Sequence, residues 1–383
     1  MLPFSFKFEK RLEPSRLASI LVPVLSLLLA FLFGAALLAV IGANPGQTYQ
    51  AMLAGAIGTP AQWQDGQFYN MTELLVKAVP IILTGLSVSV AFRMLFWNIG
   101  AEGQLVMGGI ATAAVALFFP SALPFIPESP WIYIPLMFVA AILAGAAWAL
   151  IPALLKAYLK VNEIITTLMF NYIAILWYQF LFTTAWKDPE GFGFPGSALI
   201  PEYTWIPRIS GRLHWGLLLA IVAAFVVWVI MDKTRWGYEI RLIGENARAA
   251  NYAGVSIIRN IILVMILSGG LAGLAGFVEV TAISHRLQHG LAVGYGFTGI
   301  IVAWLAKLNP WGVVIVSILL SALLVGGEQI QITMGLPASV SLVLQGAILL
   351  FVLGGDVFTR YRLRMIRKAP TAVVAESPSV QEV

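Results

Sequence analysis

The residues of this chain that could do chemistry are few, and they gather in short polar stretches between long apolar ones. In Phe96-Trp-Asn-Ile-Gly-Ala-Glu-Gly-Gln104, the amides of Asn98 and Gln104 flank the carboxylate of Glu102. An ionisable group at the edge of an apolar run is costly to hold there, which makes it a functional candidate by default. Three arrangements are open for Glu102: lining a pathway, bracing a broken helix against Arg93, or lying in water beside Arg93. A second stretch, 236–254, is a basic island about two-thirds of the way along the chain. Asn246 can cap a short helix through its side-chain oxygen, and Gly254 can end it in the left-handed conformation. Residues 247–253 make about two turns. Such a helix is a shape for touching another protein, with Arg241 and Arg248 meeting acidic groups and Tyr252 anchoring the contact. The plainer alternative is a tidy basic loop with no partner.

Other chemistries find little support. His285 and His289 have an i, i+4 spacing that suits a metal, but no third ligand stands near, and a solvated pair is the simpler reading. No G-x-x-x-x-G-K-[ST] phosphate loop occurs, nor H-E-x-x-H, nor G-x-S-x-G. The chain is not expected to bind ATP by that route, to hold a cofactor or to be an enzyme. With no cysteine, disulfides and thiolate sites are excluded.

Composition dictates what positions these residues. Of 383 residues, 60% are hydrophobic and only 11% charged, where a soluble domain carries about a quarter. Lipid must be the solvent for most of this surface. A span needs about twenty apolar residues, and ten windows qualify, at roughly 18–42, 73–92, 101–119, 131–154, 164–185, 214–231, 260–280, 292–307, 311–327 and 337–355. Glycines crowd the start of the third (Gly100, Gly103, Gly108, Gly109) and the eighth (Gly290, Gly294, Gly296, Gly299). Both are predicted to be broken or partly re-entrant, which is tolerated only where protein or a cavity surrounds them. Of the 23 Lys and Arg, all but Lys77, Lys187, Arg208, Arg212 and Arg286 then fall on one set of ends and loops. The positive-inside rule makes that set cytoplasmic, and nucleic acid is a poor rival for the charge. The expected fold is therefore all-α, a polytopic integral membrane protein with about ten transmembrane helices and both termini cytoplasmic. It divides into an amphipathic N-terminal segment (1–16) on the membrane surface, a transmembrane domain (17–358, with its main cytoplasmic loop at 232–259) and a cytoplasmic tail (359–383) that is expected to be disordered from Ala369. The long outer loops at 43–72 and 186–213 are expected to form a platform.

Four segments carry a resemblance. Phe96-Trp-Asn-Ile-Gly-Ala-Glu-Gly-Gln104 resembles F-N-I-G-A-E-G-Q, with Trp97 added or substituted. Val161-Asn-Glu-Ile-Ile-Thr-Thr-Leu-Met-Phe-Asn-Tyr172 resembles V-N-E-V-I-x-T-x-M-x-N-Y. Gly244-Glu-Asn-Ala-Arg-Ala-Ala-Asn-Tyr-Ala-Gly254 resembles a coupling loop in which Pro usually stands at Ala247. Gly294-Tyr-Gly-Phe-Thr-Gly-Ile-Ile-Val-Ala-Trp-Leu-Ala-Lys-Leu-Asn-Pro310 resembles G-Y-G-F-x-G-I-A-V-A-L-L-x-x-x-x-P. In this order they resemble permease subunits of bacterial ATP-binding-cassette (ABC) importers of the branched-chain amino acid and ribose permease family. The likeness is nearest to simple-sugar and nucleoside permeases that work with a basic-membrane-protein-type lipoprotein.

That resemblance implies a type II importer-like fold in the bacterial cytoplasmic (inner) membrane, with membrane lipid around it. The implied partners are an ATPase with two nucleotide-binding domains, a second and different permease subunit, and an extracytoplasmic substrate-binding lipoprotein. Arg241, Gly244, Glu245, Asn246, Arg248, Tyr252 and Gly254 then form the ATPase-coupling element. Asn98, Glu102, Gln104, Asn171, Tyr295 and Phe297 become pathway or substrate residues, Asn98 and Gln104 hydrogen bonding a sugar-like ligand. Arg208, Arg212 and Arg286 would dock the lipoprotein. On the residues alone, Asn171 is equally polar glue between spans, Glu163 is favoured by the dipole at a helix start, and Glu279 and Glu328 sit near outer span ends, where they meet the binding protein, pair with Arg286 or lie in solvent. The alternatives are a permease for a branched-chain amino acid, or a secondary transporter, for which no midplane acidic pair is visible.

Overall fold

The computed structural model describes residues 4–10 and 16–367. The chain divides into two compact units, Met1–Ile41 with Gly346–Val383, and Gly42–Gln345. It opens with β1 (Phe4–Lys10), followed by the apolar α1 (Arg16–Val40). Next come α2 (Pro45–Ile57), α3 (Pro60–Gln64) and α4 (Tyr69–Arg93). Asn44 caps α2 by accepting from the Gly46 and Gln47 amides, with Pro45 at the first helical position. Part of the expected 43–72 platform is thus a helix, and it is packed: Gly55 lies against Gln329 and Gly326 against the Met52 backbone.

The centre of the larger unit is α4. Its apolar window is 89% buried, as befits a helix hydrophobic on every side. Around it run α5 (Ala101–Ala122), α6 (Pro130–Leu159), α7 (Glu163–Phe180) and α8 (Gly216–Lys233). A short hairpin, β2 (Arg208–Ser210) with β3 (Leu213–His214), precedes α8. After it come α9 (Arg235–Glu245), α10 (Ala247–Tyr252), α11 (Ile257–Val278), α12 (Tyr295–Leu305) and α13 (Pro310–Met334). Both α7 and α11 finish in a π-helical turn, Leu181–Ala185 and Glu279–Ser284. The last elements are α14 (Ala338–Arg360) and β4 (Tyr361–Arg367).

Two expectations need correcting. The third window is one unbroken helix, α5, because its glycines serve close approach instead of a break. A side chain at Gly108 would strike the Gly273 backbone of α11, and one at Gly103 would crowd Asn171 of α7. Small residues that let backbones meet are the usual contact between membrane helices. The all-helical expectation fails at the chain ends, where β1 pairs antiparallel with β4 from Phe4↔Arg367 to Lys10↔Tyr361. Phe4-Ser-Phe-Lys-Phe-Glu-Lys alternates with period two, the strand period, and not with the 3.6 of a surface helix. The tail expected from Ala369 lies outside the described residues.

The eighth window is short, as its glycines foretell. At about 1.5 Å per residue, α12 is roughly half the ~30 Å hydrocarbon core. Among the described residues seven helices are long and apolar enough to cross a membrane, or eight if a bent pair ending at Gln64 counts as one span. The chain is thus a multi-pass membrane protein.

Candidate functional site

The basic island folds as two helices. Thr234 starts α9 by accepting from the Gly237 amide at 3.1 Å, and Asn246 starts α10 by accepting from Arg248 and Ala249 at 3.0 and 3.1 Å. Gly254 follows at φ +77°, where a side chain would be strained. Ala250 is buried beneath α10, whereas Arg248 is exposed and Tyr252 is 94% exposed. Glu245 is exposed as well. Ile240 and Ile243 bury one side of α9, and any side chain at Gly244 would meet the Arg93 carbonyl at the end of α4.

Asp232 locks this contact. It accepts from Arg93 Nη1 at 2.9 Å and from Arg241 Nη1 at 3.1 Å, while Arg93 Nε holds the Leu308 carbonyl at 3.0 Å. Arg241 also donates to the Met231 carbonyl. Arg241, one of the two guanidiniums expected to reach a partner, is thus paired within the chain through Nη1 while its side chain stays 43% exposed, and Arg93 does not meet Glu102. These bonds tie α9 to the ends of α4 and α8 and to the turn after α12.

The expected pathway residues come together as an internal brace. Glu102, 1% exposed, accepts from the Gly294 amide at 2.7 Å and the Gly296 amide at 2.5 Å, closing the start of α12. A carboxylate at a helix N-terminus meets unpaired N–H groups and the positive end of the dipole. Asn98 and Gln104 exchange two hydrogen bonds of 3.0 Å, and Asn98 also donates to Ser268. Asn171 donates to the Ile99 carbonyl and accepts from Gly103, bridging α7 to the start of α5. These four are buried and bonded within the chain, and Glu102 meets the amides that open α12, neither bracing a broken helix against Arg93 nor lying in water beside it. Tyr295 is half-buried, with its carbonyl bound by Thr84, and Phe297 is 40% exposed.

At the other end of the bundle, Arg212 pairs with Glu73 at 2.9 Å and Arg286 Nε with Gln288 at 2.7 Å. Both are paired within the chain, whereas Arg208 on β2 is exposed and has no side-chain hydrogen bond among the described residues. Glu328 pairs with Lys77, not with Arg286. The two histidines at i, i+4 do not share a face, since His285 turns left-handed (φ 53°) to stack on Trp205 while His289 meets Phe182. Buried His214 accepts from the Gly216 amide at 3.1 Å, opening α8. Burial, then Arg208, Arg212 and His285, pushes its pKa from 6.5 down to about 4. Protons bind it more readily in the unfolded chain, so its contribution to stability is full above about 6.5 and is lost as pH falls toward 4. Melting of the purified protein should therefore drop over that interval, and His214→Gln should flatten this part of the profile.

Residues 70–353 match the family described as the branched-chain amino acid transport system permease component. The chain belongs to this family. Among relatives of this permease is the glucose ABC transporter permease protein TsgB13 of Haloferax volcanii, 34% identical over 89% of each chain. The guanosine ABC transporter permease protein NupP of Bacillus subtilis is 34% identical over 88% of this chain and 94% of its own. From the same bacterium, the guanosine permease protein NupQ is 30% identical over 62% of this chain and 75% of its own.

Sequence reasoning missed three parts of the permease site. The helix α9 was legible in Thr234 as a cap and in Trp236, Ile240 and Ile243 at helical spacing. Asp232 gave no local signal, because its two partners lie far off or one helix away. The two tryptophans at which the chain departs from the motifs, Trp97 and Trp304, stack at 5.6 Å with Phe92 against both. The two rings meet between the start of α5 and the end of α12.

Proposed function

We propose that this chain is the transmembrane permease subunit of an ABC importer that carries a nucleoside or a simple sugar across the cytoplasmic membrane. The observation that carries this reading is the α9–α10 unit: a capped, exposed helix held rigidly to the ends of three membrane helices. Arg248 and Tyr252 stand free to meet an ATPase with two nucleotide-binding domains, and motion imposed on α10 would pass through Gly244 and Asp232 into α4 and α8. A rigid, pre-organised docking element loses little entropy on binding. The solutes for which TsgB13 and NupP are named, glucose and guanosine, support the solute class. That two guanosine permease proteins of one bacterium both resemble this chain supports a second, different permease beside it. The charge sorting supports both termini in the cytoplasm and ten membrane passages, and a binding lipoprotein would meet the opposite end near Arg208. Glu102 serves by fixing the half-helix α12, and Asn98, Gln104 and Asn171 by bracing the start of α5 that carries Glu102, which brings Tyr295 and Phe297 to the pathway.

The double variant Arg248→Glu, Tyr252→Ala tests the coupling. Expressed with the ATPase and the second permease, it should lose co-purification of the ATPase and all ATP-driven uptake. Retention of both would sink the reading.

A further inference from the structure

Glu279 begins the π-helical turn that ends α11. Such turns displace the residues that follow and are frequent at functional sites. The residue is 6% exposed, yet among the described residues its carboxylate accepts no hydrogen bond and forms no ion pair. Its oxygens are not among the sealed, unpartnered atoms of the described residues, so they open onto accessible space. A buried carboxyl without a partner is costly to hold in a membrane protein, which makes it a candidate functional group.

Its surroundings narrow what that is. Lys77 and Arg212 are near enough to act on its charge, but Lys77 is bound to Glu328 and Arg212 to Glu73. Neither occupies it. Tyr178 and Tyr295 also feel its charge. The Tyr178 hydroxyl donates to the Gln288 carbonyl, whereas that of Tyr295 has no partner among the described residues. Tyr295 is the first residue of α12, the half-helix that Glu102 holds in place. A free carboxylate is an acceptor-only group with room for two donors. Beside an aromatic ring it suits an uncharged ring that bears neighbouring hydroxyls, whose O–H groups meet the oxygens while its carbon face packs on the ring.

We propose that Glu279 is the polar contact for solute inside the membrane, accepting hydrogen bonds from two hydroxyls of an uncharged, sugar-bearing solute as Tyr295 packs against it. This rests on the permease reading above and names the chemistry of its pathway.

The test uses the complete importer in proteoliposomes, with labelled guanosine and glucose as probes, each compared with its 2-position deoxy analogue. Wild type should take up the hydroxylated form of its solute in preference to the deoxy form. Glu279→Gln should lower uptake of the hydroxylated form by about tenfold or more, the scale of a hydrogen bond to a charged group, and should erase the preference. A merely structural role would depress both forms in proportion, and an unchanged preference overturns the proposal, as does full uptake by Glu279→Gln or absence of any preference in wild type. Should Glu279→Gln not assemble, Glu279→Asp withdraws the carboxylate by one carbon and is expected to cut the preference at least threefold; no change again overturns it. If wild type carries neither guanosine nor glucose, the nucleoside-or-sugar reading itself fails and this proposal falls with it.

Discussion

Asp232→Ala is expected to abolish transport and to lower the melting temperature well below that of wild type, while Arg241→Ala is mild. The two guanidiniums that Asp232 holds are not equivalent. Arg93 has a side chain only 12% exposed, against 43% for Arg241. Removing one partner of a largely buried ion pair costs about 3–5 kcal/mol, because the other charge is left without compensation. Asp232 itself is 28% exposed, so the lower end of that range applies. An exposed pair such as Asp232–Arg241 is worth about 0–1 kcal/mol. The functional loss should exceed the loss of stability, since Asp232 is where α9 meets α4 and α8. Uptake in proteoliposomes and melting in detergent are the two measurements. Equal and small effects of the two substitutions would remove Asp232 from the coupling route.

A comparable loss is expected from Glu102→Ala. The substitution strips the acceptor from two amides at the start of α12, at Gly294 and Gly296. Each buried N–H left unsatisfied costs about 1–3 kcal/mol, so the pair is worth roughly 2–6 kcal/mol. The replacement cannot be repaired by a shift of the helix, because a side chain at Gly296 would already strike the Glu102 backbone. Glu102→Gln keeps one acceptor oxygen and turns an N–H group toward the second amide, so its melting temperature should fall between those of Glu102→Ala and wild type. A Glu102→Ala protein that melts with wild type and transports normally would show that the carboxylate does not hold the half-helix.

The same residues show how much of the site could be read in advance. Asn246, Gly254 and the residues between them specify α10 by local rules of capping and termination, which need no neighbour. Glu102 stood out because a carboxylate at the edge of an apolar run demands an explanation. What it does could not be read, since its partners are amides 192 and 194 residues away. The partner of Arg241 was hidden for a similar reason: a basic residue in a basic loop looks free until the fold brings Asp232 beneath it. The glycines of α5 were ambiguous in the same way, because a glycine that breaks a helix and one that admits a neighbouring backbone are the same residue.

Apolar length and the sorting of Lys and Arg were enough to call for a membrane protein with many passes and one basic face, because lipid and the translocated loops act on each segment separately. Caps, the short eighth helix and the absent nucleotide loop were likewise local. Which polar groups are spent inside the bundle, and which remain open as Glu279 and Tyr295 do, was decided only by tertiary structure. A buried hydrogen bond depends on where its partner stands, and in this chain the partners are brought together by helix crossings that the sequence does not write side by side.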